Sequence, residues 1–260
     1  MTAFTPAVSR VGGYLAVVCP LANEIDNAER FVREVLQVLA AWKFSRVRFF
    51  AVLDTVSRDG TLERLRALAL QLPALQVVYA PENRCVVDAY VRGYRESLAS
   101  GANWVLEIDA GYSHDPQQIS AFLEAAAAGA DCVFGTRFAH GGSYTGDAPA
   151  RLLVSRGGGM LANLLLGTRL SDMTSGYQLF RRAALESILA QGLQSRGPFF
   201  QTEMKTHAHA WNIAEVGIRY RPSGQLVRST SIKDALRVLW QLFWRRARGR
   251  SAPVVAAVKQ

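Results

Sequence analysis

The stretch YLAVVCPLANE, residues 14–24, decides the fold. Tyr14–Cys19 is a short unbroken apolar run, which reads as a strand buried on both faces. Pro20 ends it, and Asn23 and Glu24 follow as the first polar groups. Working outward, Ala28–Ala41 has helical spacing with Phe31, Val35, Leu36 and Leu39 on one face, and RVRFFAVL (46–53) is a second strand. A helix near Leu62–Leu72, a strand at Gln76–Tyr79, a helix at Val86–Leu98 and a strand at Trp104–Ile108 continue the alternation. Gln117–Ala128 reads as a helix and Cys132–Gly135 as a fifth short strand. This alternation predicts an α/β fold, a mostly parallel sheet flanked by helices. Ligands of such sheets sit outside the carboxyl ends of the strands, so the polar residues there carry the chemistry.

Past residue 136 the texture changes. Phe138–Pro149 is a loop rich in Gly and Ser, Arg151–Leu166 a helix, and Arg169–Gly176 a polar loop. Tyr177–Phe180 reads as a short strand, Ala183–Ala190 and Thr202–Ala210 as helices, and Ala214–Arg221 alternates like an exposed strand. Gly157-Gly158-Gly159 enters a helix and is a weak candidate for a phosphate cradle; neither a Gly-x-Gly-x-x-Gly after the first strand nor a Gly-Lys-Ser/Thr is present. The expected organisation is an extension over 1–13, one α/β domain over 14–228, and a basic amphipathic helix with a tail over 229–260.

The chain has 260 residues and a formal net charge of +9. Residues 219–260 hold ten basic residues and one acid, Asp234, so the body is neutral and the surplus belongs to the C-terminal segment. A neutral body argues against a nucleic-acid cradle. No apolar run reaches the 18–20 residues of a spanning helix, and Met1–Gly13 lacks a secretory layout. Cys19, Cys85 and Cys132 are odd in number and scattered, as expected of reduced thiols in a cytoplasmic setting.

The strand ends supply Asn23 and Glu24, Asp54 and Asp59, Asn83, then Asp109, His114 and Asp115. An acid-rich crevice suits a ligand brought in with a divalent cation, or a sugar or base held by hydrogen bonds. Asp54 reads as functional and Asp59-Gly60 as a turn, while His114 and Asp115 before Pro116 either help to hold a cation or form a helix cap. His207 and His209, two apart on a helix, face different ways and make a poor metal pair. Trp211 and Tyr220 read as packing residues.

In order along the chain stand Pro20-Leu21-Ala22-Asn23-Glu24, Asp54-Thr55-Val56-Ser57-Arg58-Asp59-Gly60-Thr61, and Asn83 with Ala89 and Gly93. Asp109-Ala110-Gly111 with Ser113-His114-Asp115-Pro116, Gly135-Thr136-Arg137-Phe138, Arg151, Ser155 and Asp172–Phe180 follow. This ordered set resembles the family-two glycosyltransferases of GT-A fold, in particular the dolichyl- and polyprenyl-phosphate mannosyl- and glucosyltransferases. The resemblance implies a GT-A, Rossmann-like fold and an inverting transfer of a hexose from a nucleotide-diphosphate sugar to a polyprenyl phosphate. It places the donor on Pro20, Asn23, Glu24, Asp54, Asn83, Asp109 and Ala110. It places the acceptor phosphate on Arg137, Arg151 and Ser155, with Arg228 near a lysine that many relatives carry. Asp172 and Ser175 are either substrate contacts or capping residues, and Glu203 is the candidate base. The implied catalytic residues are thus Asp109, Arg137 and Glu203. The implied cofactor is Mg²⁺ or Mn²⁺, on Asp109 and Ser113, because Gly111 stands where the family's metal motif has its second carboxylate. That change also leaves open a membrane-associated binding protein with little activity; an enzyme using a hydroxyl acceptor is the other alternative.

From Ile232 to Arg248, residues Ile232, Ala235, Leu236, Val238, Leu239, Leu242 and Phe243 share one helical face. Lys233, Arg237, Gln241, Arg245 and Arg248 lie opposite, with Trp240 and Trp244 near the edge. This is the pattern of a helix lying on an anionic membrane, or of one packed on its own domain. The expected place is peripheral, at the cytoplasmic face of the membrane.

Overall fold

The computed structural model describes residues 11–145, 149–221 and 229–249; Arg228 and the side chain of Arg151 lie outside what is described. In chain order the elements are β1 (Tyr14–Pro20), α1 (Ala28–Ala40), β2 (Arg46–Leu53), α2 (Thr61–Ala69), β3 (Leu75–Tyr79), α3 (Val86–Ala99) and β4 (Trp104–Glu107). There follow α4 (Ile119–Ala127), β5 (Cys132–Thr136), β6 (Ser143–Tyr144), α5 (Pro149–Leu166), β7 (Gln178–Arg181) and α6 (Arg182–Ala190). Last come α7 (Phe200–His207), β8 (Ile213–Gly217), β9 (Arg219–Tyr220) and α8 (Ser229–Ala247). The first seven elements fall where the apolar periodicity predicts them.

The main sheet has the order β3-β2-β1-β4-β7-β5-β8. β1 pairs in parallel with β2 and β4, β2 with β3, and β5 with β8. β7 alone runs antiparallel, between β4 and β5. The stretch 214–221, read as one strand, divides at the fully buried Ile218: β8 closes the main sheet and β9 pairs with β6. An exposed strand was expected there; its residues are half-buried because β8 lies against β5.

Alternation along β1 builds two cores. Leu15, Val17 and Cys19 join Phe31, Val35, Leu39, Phe49 and Phe122 on one face. Ala16 and Val18 join Phe50, Tyr90, Tyr94, Phe134, Phe180 and Met204 on the other. Burying each large apolar side chain contributes about 1.5–3 kcal/mol. A third, smaller cluster sets Val238, Leu239 and Leu242 of α8 against Ala162 and Leu166 of α5 and against Met173. The apolar face of α8 is therefore divided. Half of it packs on the protein, while Ile232, Leu236, Trp240 and Trp244 stay exposed.

Two glycines behave oppositely. A Cβ on Gly93 of α3 would run into the Val18 and Val52 side chains, so the helix rests on the sheet through its bare backbone. Gly157 lies inside α5 with nothing within 4 Å of a Cβ, and the triple glycine is helix interior rather than a phosphate loop. Gly93→Ala is expected to destabilise by about 1–3 kcal/mol through overpacking. Gly157→Ala is expected to stabilise by up to about 1 kcal/mol through helix propensity. Urea denaturation of the two variants checks the opposite signs.

Candidate active site

The residues expected on the donor side gather where β1, β2, β3 and β4 end. Asn23, in the left-handed region at φ 58°, staples two loops together. Its Nδ2 donates to the Val56 carbonyl at 3.2 Å and its Oδ1 accepts the Arg58 amide at 2.9 Å. Asn23 thus shapes this side of the crevice with a side chain whose donor and acceptor are already engaged. Asp54 accepts the Val56 amide on Oδ1 at 2.9 Å, a local turn that leaves Oδ2 without a protein hydrogen bond among the described residues. Asp59 accepts from Thr61 and from the Ile25 amide, which fits the turn reading. Asn83 Nδ2 is buried and unpartnered. Glu24 is half-buried, and burial followed by the nearby Asp59 charge raises its carboxyl despite a hydrogen bond from Asn27. Pro20 and Ala110 belong to the same strand ends, Pro20 as the last residue of β1 and Ala110 after β4.

The Asp109 side chain is 34% exposed. Helix and strand periods meet beneath it. Tyr90 and Tyr94, one turn apart on α3, share a face, as do the alternate residues Glu107 and Asp109. The Tyr90 hydroxyl donates to Asp109 and the Tyr94 hydroxyl to Glu107. The Asp109 amide donates to His114 Nδ1 at 3.1 Å, and His114 stacks on Tyr177. His114 is therefore a buried support of the Asp109 turn, while Asp115 is the cap, accepting the Gln117 amide and pairing with Arg219 at 2.6 Å. Ser113 is buried; its carbonyl accepts the Arg221 amide, and among the described residues no hydrogen bond joins its hydroxyl to Asp109.

Of the residues expected on the acceptor side, Arg137 stands just past the end of β5 and Asp172 and Ser175 in the loop before β7. Arg137 is buried and forks onto Asp172, with Nε to Oδ2 at 2.7 Å and Nη2 to Oδ1 at 2.9 Å. Nη2 also donates to Thr174, while Nη1 has no hydrogen bond among the described residues. Burial would raise the Asp172 carboxyl, but the hydrogen bonds and charge of Arg137, with Lys205 behind, hold it well below the usual range. Asp172 is thus the holder of Arg137. Lys205, on α7, is fully buried; its Nζ donates to the Asp172 carbonyl at 2.6 Å, and burial pushes it down to about 8. Ser175 is buried and its hydroxyl accepts the Tyr177 amide, a turn contact. Ser155 is half-buried on α5.

Glu203 does not fit a base. It is fully buried, and both oxygens accept the Gln194 amide, at 2.8 and 3.0 Å, with Ser195 adding a third bond at 3.0 Å. Its carboxylate anchors the loop before α7, and the two amides engage its oxygens inside the protein.

Sequence reasoning missed the groups that join the two sides. Gln201 Nε2 donates to Glu107, and Gln178 Nε2 donates to Gln201. With Tyr94 this makes a buried chain from α3 through β4 to β7 and α7. Burial pushes Glu107 up to about 8, against the lowering hydrogen bonds from Tyr94 and Gln201. A carboxyl raised on folding binds its proton more tightly in the native state. Its contribution is fully present below the unfolded value of about 4.3 and is lost as pH rises through about 8. Glu107→Gln removes that titration. Its stability in urea relative to the wild type is therefore expected to rise steadily from pH 5 to pH 8; a constant difference rejects the shift.

Residues 16–189 match the sequence profile of glycosyl transferase family 2. The polyprenol monophosphomannose synthase of Mycolicibacterium smegmatis is 30% identical over 241 residues, covering 88% of this chain and 89% of that protein. The undecaprenyl-phosphate mannosyltransferase of Micrococcus luteus is 32% identical over 171 residues, 65% of this chain and 70% of that one. Among solved structures, glucosyl-3-phosphoglycerate synthase of Mycobacterium tuberculosis with uridine diphosphate has a TM-score of 0.58 at 17% identity, covering 93% of this chain and 82% of that one. The same enzyme with Mn²⁺, uridine diphosphate and glucosyl-3-phosphoglycerate gives 0.61 at 17% identity over 93% and 81%. That likeness shows the fold alone, the α/β GT-A arrangement. Profile, relatives and fold agree: the chain belongs to glycosyl transferase family 2 and is a nucleotide-sugar-dependent glycosyltransferase.

Proposed function

We propose that this enzyme moves a hexose from a nucleotide-diphosphate sugar to a polyprenyl phosphate at the cytoplasmic membrane face. The observation that carries the reading is the meeting of two polar groups at one sheet edge. Asp109 is held by Tyr90 at the end of β4 and Arg137 by Asp172 at the end of β5; in this reading the first serves the donor diphosphate and the second the acceptor phosphate. The two relatives whose names specify polyprenol and undecaprenyl-phosphate chemistry support this acceptor class.

An acceptor phosphate oxygen attacks the anomeric carbon. The bond from that carbon to the donor diphosphate breaks, and the nucleoside diphosphate leaves from the opposite side, inverting the configuration. The acceptor is already ionised at neutral pH, so no strong base is required, in keeping with the inward-turned Glu203. Asp172 fixes the plane of the Arg137 guanidinium, and Nη1 stays available for a phosphate oxygen. Arg151, Ser155 and Arg228 complete this acceptor side in the proposal. Pro20, Asn23, Glu24, Asp54, Asn83 and Ala110 form the donor side.

Among the described residues no three His, Cys, Asp or Glu side chains cluster to hold a metal. A cation in the proposed site would be carried largely by substrate phosphates and one or two carboxylates, the usual habit of Mg²⁺. A bound Mg²⁺ or Mn²⁺ supplies positive charge to the departing diphosphate.

Calorimetric titration with GDP-mannose, UDP-glucose and UDP-N-acetylglucosamine, with and without Mn²⁺, tests the donor side; transfer of labelled sugar to a polyprenyl phosphate tests the acceptor. Binding of one donor and lipid-dependent transfer are expected. Donor binding with transfer only to a hydroxyl would move the acceptor class, and no donor binding would sink the reading.

The membrane part rests on exposed apolar residues beside basic ones. No described helix is long and apolar enough to cross a membrane. On α5, Leu153, Val154, Met160, Leu161 and Leu164 are exposed, and α8 adds Ile232, Leu236, Trp240 and Trp244 beside Lys233, Arg245 and Arg248. The pair L236S/W240S is expected to weaken co-sedimentation with phosphatidylglycerol-containing vesicles by about tenfold or more, since each buried side chain contributes about 1.5–3 kcal/mol. The wild type should release at high salt. Equal sedimentation of variant and wild type overturns this surface.

A further inference from the structure

We propose that Glu24 is the second carboxylate of the cation site, taking the role left open by Gly111. This rests on the donor reading above and names a residue outside the expected pair Asp109 and Ser113. Gly111 has φ +68°, and a Cβ built on it would lie 2.6 Å from Glu24 Oε1, with Cδ and Oε2 both at 3.1 Å. The Glu24 carboxylate thus occupies the space where a side chain at 111 would begin. An aspartate there would project its own carboxylate into that space. Here the same chemistry arrives from the loop after β1.

Glu24 is presented from a fixed backbone. Its amide donates to Thr61 Oγ1 at 2.9 Å, and its carbonyl accepts the amides of Asn27 and Ala28 at 3.0 and 2.8 Å at the start of α1. Its carboxylate end accepts a hydrogen bond from Asn27 and reaches the Gly111 turn.

A second observation comes from beneath Asp109. His114 is fully buried, and its Nδ1 accepts the Asp109 amide, so in the neutral ring Nε2 carries the proton. That Nε2 has no hydrogen-bond partner and lies 3.8 Å from Asp109 Oδ2, while Tyr90 holds Oδ1. An unpartnered buried nitrogen therefore sits beside one Asp109 oxygen, beyond hydrogen-bond distance. Asp109 is steadied by two protein groups, and Glu24 approaches the adjoining turn from the loop after β1. Two carboxylates with diphosphate oxygens and water satisfy Mg²⁺ or Mn²⁺.

The test is a cycle of four proteins: wild type, E24Q, G111D and E24Q/G111D. Free Mn²⁺ is followed by electron paramagnetic resonance at saturating GDP or UDP, and nucleotide affinity without Mn²⁺ is measured by calorimetry. Aspartate tolerates positive φ better than most residues, and the Glu24 tip is flexible enough to yield to it. Replacing a ligand-sphere residue costs about 10–100-fold in metal affinity, so E24Q is expected to weaken Mn²⁺ binding at least tenfold. In the G111D background the same change should cost less than about twofold, because the aspartate then supplies the carboxylate. Nucleotide affinity without Mn²⁺ is measured for all four proteins, because Glu24 also stands on the donor side, and Mn²⁺ binding is compared only at nucleotide saturation of each. Equal losses in both backgrounds, or none in either, overturn the assignment of Glu24. A wild type that binds neither nucleotide overturns the donor reading itself, and one that binds nucleotide but no Mn²⁺ overturns only the cation site.

Discussion

Reversal of one strand organises the active site. β7 lies between β4 and β5 and pairs with both in the antiparallel sense, with Gln178 opposite Glu107 on one side and Phe134 on the other. Because it runs backwards, the loop before it reaches the carboxyl ends of its two neighbours. A parallel strand at this position would deliver that loop to the opposite edge, far from β4. The meeting of Asp172 with Arg137 depends on this direction. So does the bringing of that loop to the sheet edge at which β4 also ends.

An ion pair taken out of water stabilises a fold only when its remaining hydrogen-bonding capacity is met. The Arg137–Asp172 pair satisfies that condition from several elements at once. Thr174 takes a guanidinium donor, Lys205 reaches the Asp172 carbonyl from α7, Thr202 donates to the Met173 carbonyl, and Glu215 of β8 accepts amides of Ser171 and Asp172. The loop is held on every side, so a guanidinium edge is offered with little freedom left to lose on binding. On the donor side the tyrosines of α3 do similar work for Asp109 and Glu107, and Gln201 links that network to α7.

What the sequence disclosed and what it hid divide along a physical line. Periodicity is local, so β1 to β4 and their helices were legible from runs such as Tyr14–Cys19. Chain direction within a sheet is a matter of pairing, and nothing in Tyr177–Phe180 shows that its strand is reversed. Strand-end residues were legible as a set because topology brings them to one edge. Their partners were not: Lys205 and Glu203 are polar residues on one short helix, and only the packing of α7 turns one toward Asp172 and the other toward a loop amide. Gly111 was legible as a missing carboxylate. That Glu24 fills the space beside it depends on where the β1 loop folds back, across a separation of more than eighty residues.

The C-terminal charge gains its meaning from the divided face of α8. A helix free of the domain would turn all its apolar residues the same way. Val238, Leu239 and Leu242 instead bury against α5 and Met173, leaving the other half of the face exposed. Met173 links the two regions: it lies in the cluster beneath α8, and its chain neighbour Asp172 holds Arg137. The surface proposed to meet lipid and the side chain proposed to grip the lipid's phosphate are therefore two residues of packing apart. On the proposed reading, a membrane that seats α5 and α8 would bear on the loop that holds Arg137, and the charge excess of residues 219–260 and the buried ion pair would act together in bringing an acceptor phosphate to the sheet edge.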